Sequence, residues 1–136
     1  MAGAIQTRGD VLTALLEEAR EEPLKECCGL LAGGIGMITR AFPATNAADD
    51  AAKAYEIAPE ELFRLMREIR AAGLELLGIY HSHPAGENRP SGRDIERAYY
   101  PAVAYFILSL RTGAPQPVRA FSIRDGQVTE LEILAV

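Results

Sequence analysis

Leu76-Leu77-Gly78-Ile79-Tyr80-His81-Ser82-His83-Pro84 decides how this chain is read. Its first five residues form an unbroken apolar run of strand length. The run delivers the only two histidines of the sequence, at positions 81 and 83. On a helix such a pair would diverge by about 200°. On an extended segment both point the same way, because side chains alternate with period two. Pro84 disfavours helical angles at His83 and keeps it extended. Two same-facing imidazoles at a strand end are a candidate metal pair.

Downstream stand Ser91 and Asp94, three residues apart. Ser91 suits a helix N-cap, and a carboxylate at the third helical position can bond back to the cap amide. Capping alone explains both. Yet His81, His83 and Asp94 are also three suitable zinc ligands, and a catalytic zinc keeps three protein ligands with a fourth position open to water. A hydrolytic site further needs an acid/base near that water. Glu17, Glu18, Glu21 and Glu22 are expected on the solvated outer face of the first helix. Glu26 differs, because it enters the apolar run Cys27-Cys28-Gly29-Leu30-Leu31-Ala32, where a carboxylate is costly without a partner. Glu87, between the ligands, is the alternative.

Working outward, the elements alternate. Asp10 is expected to cap a helix reaching about Glu22, stopped by Pro23. The run from Cys27 to Ala32 reads as a buried strand ended by Gly33-Gly34, with a second strand over residues 35–42. Residues 43–54 lack periodicity and read as a loop. Pro59 opens a helix to about Ala72, with Glu60 and Glu61 in its first turn. Leu74 to Tyr80 is a strand, and Ser91 to about Tyr99 a short helix. Val103 to Leu110 is another strand. Two more, about 118–124 and 127–134, flank the turn Asp125-Gly126. This order predicts an α/β domain, a mixed β-sheet flanked by helices, spanning residues 1–136.

Composition narrows the function. The 136 residues carry 14 basic and 19 acidic side chains, a formal charge of −5. That length suits a single domain. The acidity argues against nucleic acid as a partner, since phosphate binding needs surplus Lys and Arg. No apolar run is long enough to span a membrane, and the start lacks the basic-then-apolar pattern of a signal peptide. The two cysteines are adjacent, which excludes a disulfide framework and suits a reducing cytoplasm. Burial as apolar filler is the expected role of both thiols. A homodimer is compatible with the sequence. The H-E-x-x-H and P-C-x-x-C zinc patterns are absent.

The stretch from His81-Ser82-His83-Pro84 to Ser91-Gly92-Arg93-Asp94 resembles the JAMM, or MPN+, zinc metallopeptidase motif. Glu26-Cys27-Cys28-Gly29-Leu30-Leu31 resembles the strand carrying that family's catalytic glutamate. Tyr55-Glu56-Ile57-Ala58-Pro59-Glu60-Glu61, ahead of a helix, is similar to the small prokaryotic members. The likeness covers roughly residues 10 to 125. It implies a JAMM/MPN fold with a three-layer, cytidine-deaminase-like arrangement. It also implies one Zn2+ per chain on His81, His83 and Asp94, with Glu26 as base and then acid and Ser91 steadying the oxyanion. Minimal relatives imply a substrate class: the C-terminal Gly-Gly tail of a small ubiquitin-like β-grasp sulfur-carrier protein, with cysteine as one leaving group. Removal of such a modifier from lysine, by an isopeptidase, is the neighbouring reading. A non-catalytic MPN scaffold is a third. An extended tail would suit a sheet edge beside the metal.

Overall fold

The computed structural model describes residues 3–136. In chain order it contains β1 (Ala4–Thr7), α1 (Gly9–Glu21), β2 (Cys28–Gly34), β3 (Met37–Ala44), α2 (Pro59–Ala71), β4 (Glu75–His83), α3 (Gly92–Glu96), β5 (Ala104–Ser109), β6 (Val118–Arg124) and β7 (Gln127–Ala135). The strands lie in the order β1-β3-β2-β4-β5-β6-β7. Most neighbours are antiparallel; β4 and β5 run parallel, as does β1 beside both β3 and β7. The mixed sheet and flanking helices match expectation.

The closure of the sheet does not. β1 pairs Gln6 and Thr7 with Met37 and Ile38 on one side, and Ala4 to Thr7 with Glu132 to Ala135 on the other. The sheet is therefore a closed barrel, and a strand edge open along its whole length is not on offer to a substrate tail. Four residues without apolar alternation gave no signal for β1; its partners come from distant sequence.

Period two sorts the core onto two faces. Leu31, Tyr80, Phe106, Leu108 and Ala120 pack with Val11, Leu15 and Ala19 of α1. Leu30, Ala32, Ile79, Ile107, Phe121 and Ile123 pack with Leu65 and Ile69 of α2. Full burial of each such Leu, Ile or Phe contributes about 1.5–3 kcal/mol. Local boundaries follow the chemistry. Ile35 and Gly36 both take positive φ, as do Asp125 and Gly126, which makes the tight hairpin turns between β2 and β3 and between β6 and β7. Helix α1 starts at Gly9, not at a cap on Asp10; Arg8 is the N-cap residue, and Asp10 accepts from the Arg8 guanidinium instead. Helix α3 ends at Glu96, short of Tyr99. Pro101 turns Tyr100 away from helical angles, and the Tyr100 amide donates to the Tyr105 hydroxyl.

Candidate active site

The site grows from the far end of β4. That strand continues past Tyr80 to His83 because β5 runs beside it, with His81 opposite Ile107 and His83 opposite Ser109. His81 also faces Cys28 on β2. Both imidazoles share the α2 face with Ile79. Glu26 falls on that same face: it precedes Cys28 by two, and the ladder extends beyond β2 through the Ser82 amide donating to the Cys27 carbonyl at 3.0 Å.

His81 Nε2, His83 Nε2 and Asp94 Oδ2 form a near-equilateral triangle. The two nitrogens lie 3.1 Å apart, and each is 3.2 Å from the carboxylate oxygen. His83 Nδ1 donates to the Glu87 carbonyl at 2.7 Å, which leaves Nε2 as a lone pair in the neutral ring. Three electron-rich atoms converging in a buried place repel unless a cation or shared protons sit between them. Tetrahedral zinc, with bonds of about 2.0–2.2 Å, sets its ligands about 3.3 Å apart. The donor set fits that ion. A Glu26 carboxylate oxygen lies within 4.8 Å of ring nitrogens of both histidines. His81, His83 and Asp94 thus have ligand spacing, and Glu26 stands beside them.

Electrostatics separate the groups. Burial pushes the Glu26 carboxyl up to about 7, with His83 lowering it, Asp94 raising it and Arg93 lowering it. One Glu26 oxygen is buried with no hydrogen-bond partner among the described residues. Burial also pushes Asp94 up, yet hydrogen bonds from His81 and His83 outweigh it and hold that carboxyl well below its usual range. Burial lowers His81. At His83 burial is outweighed by Asp94 and the Glu87 carbonyl, and the net direction is up. Burial lifts Cys27 to about 11 and Cys28 to about 12, so neither is a thiolate nucleophile at neutral pH.

Helix α3 supplies Asp94 through a capping box. The Asp94 amide donates to Ser91 Oγ at 3.1 Å and the Ser91 amide to Asp94 Oδ2 at 2.8 Å. The same carboxylate oxygen thus caps the helix and faces the histidines, as the two readings of Ser91 and Asp94 allowed. The side chain of Glu87, the alternative acid/base, is turned outward to Arg89 and Arg111; its backbone carbonyl is what reaches the site. That loop is pinned from behind. Ser109 Oγ donates to the Gly86 carbonyl at 3.0 Å, and buried Asn88 donates to the Gln116 carbonyl at 2.6 Å.

Glu26 is fixed by the loop before α2. Its amide donates to the Ala51 carbonyl at 2.8 Å. Asn46 Nδ2 donates to the carbonyls of Glu26 and Ala54, each at 2.9 Å, while its Oδ1 accepts from the amides of Ala48 and Glu56. Sequence reading passed over Asn46, since one amide in an Ala-rich loop shows its worth only once the loop is folded. It missed Asn88 for the same reason. A cavity of about 450 Å³ adjoins Asp94, lined by Tyr55, Ile57, Tyr99, Tyr100 and Tyr105 among others.

The model of prokaryotic homologs of the JAB domain (Prok-JAB) matches residues 9–124. The chain belongs to this family. It is 39% identical over 108 residues to a desampylase of Haloferax volcanii, covering 78% of each chain. It is 34% identical over 125 residues to a CysO-cysteine peptidase of Mycobacterium tuberculosis, covering 90% of this chain and 85% of the relative. A solved protein from Desulfitobacterium hafniense superposes with a TM-score of 0.84 at 30% identity, over 97% and 92% of the two chains. A JAB1/MPN domain protein from Archaeoglobus fulgidus shares the fold, with a TM-score of 0.63 at 21% identity over 96% and 98%. This Prok-JAB chain is a peptidase with the JAMM/MPN fold. Among its described residues, no helix is long and apolar enough to cross a membrane.

Proposed function

We propose that this Prok-JAB peptidase binds one zinc ion per chain through His81, His83 and Asp94. Its substrate is the C-terminal Gly-Gly tail of a small ubiquitin-like β-grasp sulfur-carrier protein, from which it releases cysteine or a comparable small amine. The observation that carries the reading is the triangle of Nε2, Nε2 and Oδ2 at 3.1–3.2 Å, with a Glu26 carboxylate oxygen within 4.8 Å of ring nitrogens of both histidines. One relative is named for a CysO–cysteine bond, which supports the carrier tail as substrate. The adjacent thiols, both free, suit action in the cytoplasm.

When bound, zinc supplies Lewis acidity that polarises a carbonyl and lowers the pKa of water from about 15.7 towards about 7. The chain's own groups do the rest. Glu26, with its affinity for protons raised to about 7, takes a proton from the attacking water and hands it to the departing amine. Ser91 Oγ accepts from the Asp94 amide, so its hydroxyl hydrogen is free to point at the tetrahedral oxygen. The Glu87 carbonyl holds His83 in one tautomer.

The test is elemental analysis of the purified chain together with mass spectrometry of two substrates: a β-grasp protein extended past Gly-Gly by cysteine, and the same protein joined to a lysine side chain. One zinc per chain and loss of the cysteine mass are expected. Cleavage of the lysine conjugate alone would move the assignment to an isopeptidase, a reading supported by the Thermus thermophilus relative named a probable TtuB-protein conjugate cleaving protease. No zinc and no cleavage of either would leave the reading without support.

A further inference from the structure

The two imidazoles are held in different ways. His83 is steered by a hydrogen bond from Nδ1 to the Glu87 carbonyl. His81 has no such bond: its Nδ1 is buried and has no partner among the described residues. Ligating histidines usually give their second ring nitrogen a partner, because that bond fixes the ring orientation. Something else must orient His81. The Tyr55 ring lies over it, with centroids 4.4 Å apart and planes 20° from parallel. Tyr55 is itself set by the loop: Asn46 ties the residues on either side of it, taking the Glu56 amide on Oδ1 and giving Nδ2 to the Ala54 carbonyl. Aromatic stacking of this kind is worth about 0.5–1.5 kcal/mol beyond area burial.

We infer that Tyr55 is a positioning residue for the metal centre: its ring, not a hydrogen bond at Nδ1, fixes the rotamer of His81, so that Nε2 faces His83 and Asp94. This rests on the proposed zinc site. The ring matters and the hydroxyl does not, which gives an unusual expectation for a tyrosine beside an active site.

The experiment measures zinc affinity of the full chain by competition with a chelating indicator, for the native protein, Tyr55→Phe and Tyr55→Leu. The cobalt-substituted absorption spectrum of each is recorded alongside. Tyr55→Phe is expected to match the native protein in both. Tyr55→Leu is expected to lose about 10–100-fold in affinity, the usual effect of removing a group that orients a ligand, and to alter the cobalt bands. A second measurement needs no variant to fold. In the NMR spectrum of the native chain, the ring protons of His81 should be displaced upfield by the tyrosine ring current, and those of His83 should not. Undisplaced His81 protons, or a folded Tyr55→Leu that binds zinc as the native chain does, overturns the inference. A native chain that takes up no zinc while its His81 protons are displaced instead defeats the underlying metal reading.

Discussion

Glu18 and Glu26 invite comparison, one on each face of the same sheet. Both carboxyls are pushed up by burial. Glu18, on α1, accepts a hydrogen bond from the buried Tyr80 hydroxyl. Glu26 keeps an oxygen without a hydrogen-bond partner among the described residues. The difference teaches that a raised carboxyl by itself does not mark chemistry. A buried acid with a partner is part of the packing; one left unpartnered beside a cluster of donor atoms is what the proposed proton transfer requires. Sequence reading set Glu18 on the solvated face with Glu17, Glu21 and Glu22. The structure corrects that, because Tyr80 approaches from β4 and half-buries it.

The comparison breaks most decisively at Glu26. Glu26→Gln keeps the shape and removes the proton carrier, so turnover should fall by about 10²–10⁴-fold with the zinc content unchanged. The paired change Glu18→Gln should leave turnover where it was. Equal losses in the two variants, measured on one carrier substrate, would erase the distinction.

Ser91→Ala tests the oxyanion role. Loss of one such donor costs about 10²–10³-fold in rate, and loss of the cap costs about 1 kcal/mol in stability. Ser91→Asp restores a cap acceptor without a hydroxyl. It should recover the unfolding midpoint and not the rate; recovery of both would reduce Ser91 to a cap.

Gly29 sharpens the other side. A Cβ there would sit 2.5 Å from the Phe42 carbonyl oxygen and 2.6 Å from the Tyr80 hydroxyl. Gly29→Ala therefore presses on the Tyr80–Glu18 pair and should destabilise the fold by about 1–3 kcal/mol in denaturant titrations.

The smallest effect is one of pH. The folded pKa of Glu18 lies above its ordinary 4.5. The folded state thus binds that proton more tightly than the unfolded chain. Its contribution is complete below the unfolded pKa and is lost as pH rises through the folded one. Across that window the native protein should lose stability, relative to Glu18→Gln, as pH increases. Parallel stability curves for the two would show that Glu18 carries no shift.

Much of the site was legible because its parts are local. The alternation that aims His81 and His83 together, and the three-residue spacing that makes Ser91 and Asp94 a capping box, are properties of short segments. What escaped is what distant segments do to one another. β1 is four residues whose meaning lies in pairing with Met37, Ile38 and Glu132 to Ala135. The Glu87 backbone carbonyl has no sequence signature, and only its side chain drew notice. Tyr55 was read as part of a family pattern, and its contact with His81 depends on how Asn46 folds a loop without periodicity.

The seam made by β1 has a consequence for biosynthesis. Its partner β7 follows every other described strand in the chain, so the ring of strands cannot shut until β7 has left the ribosome. Every proposed ligand is synthesised before β5, which registers His81 against Ile107, and β5 in turn before β7. A nascent chain therefore carries its histidines and carboxylates in a loose array, and tight, selective capture of the proposed ion is expected only once β5 and β7 have emerged.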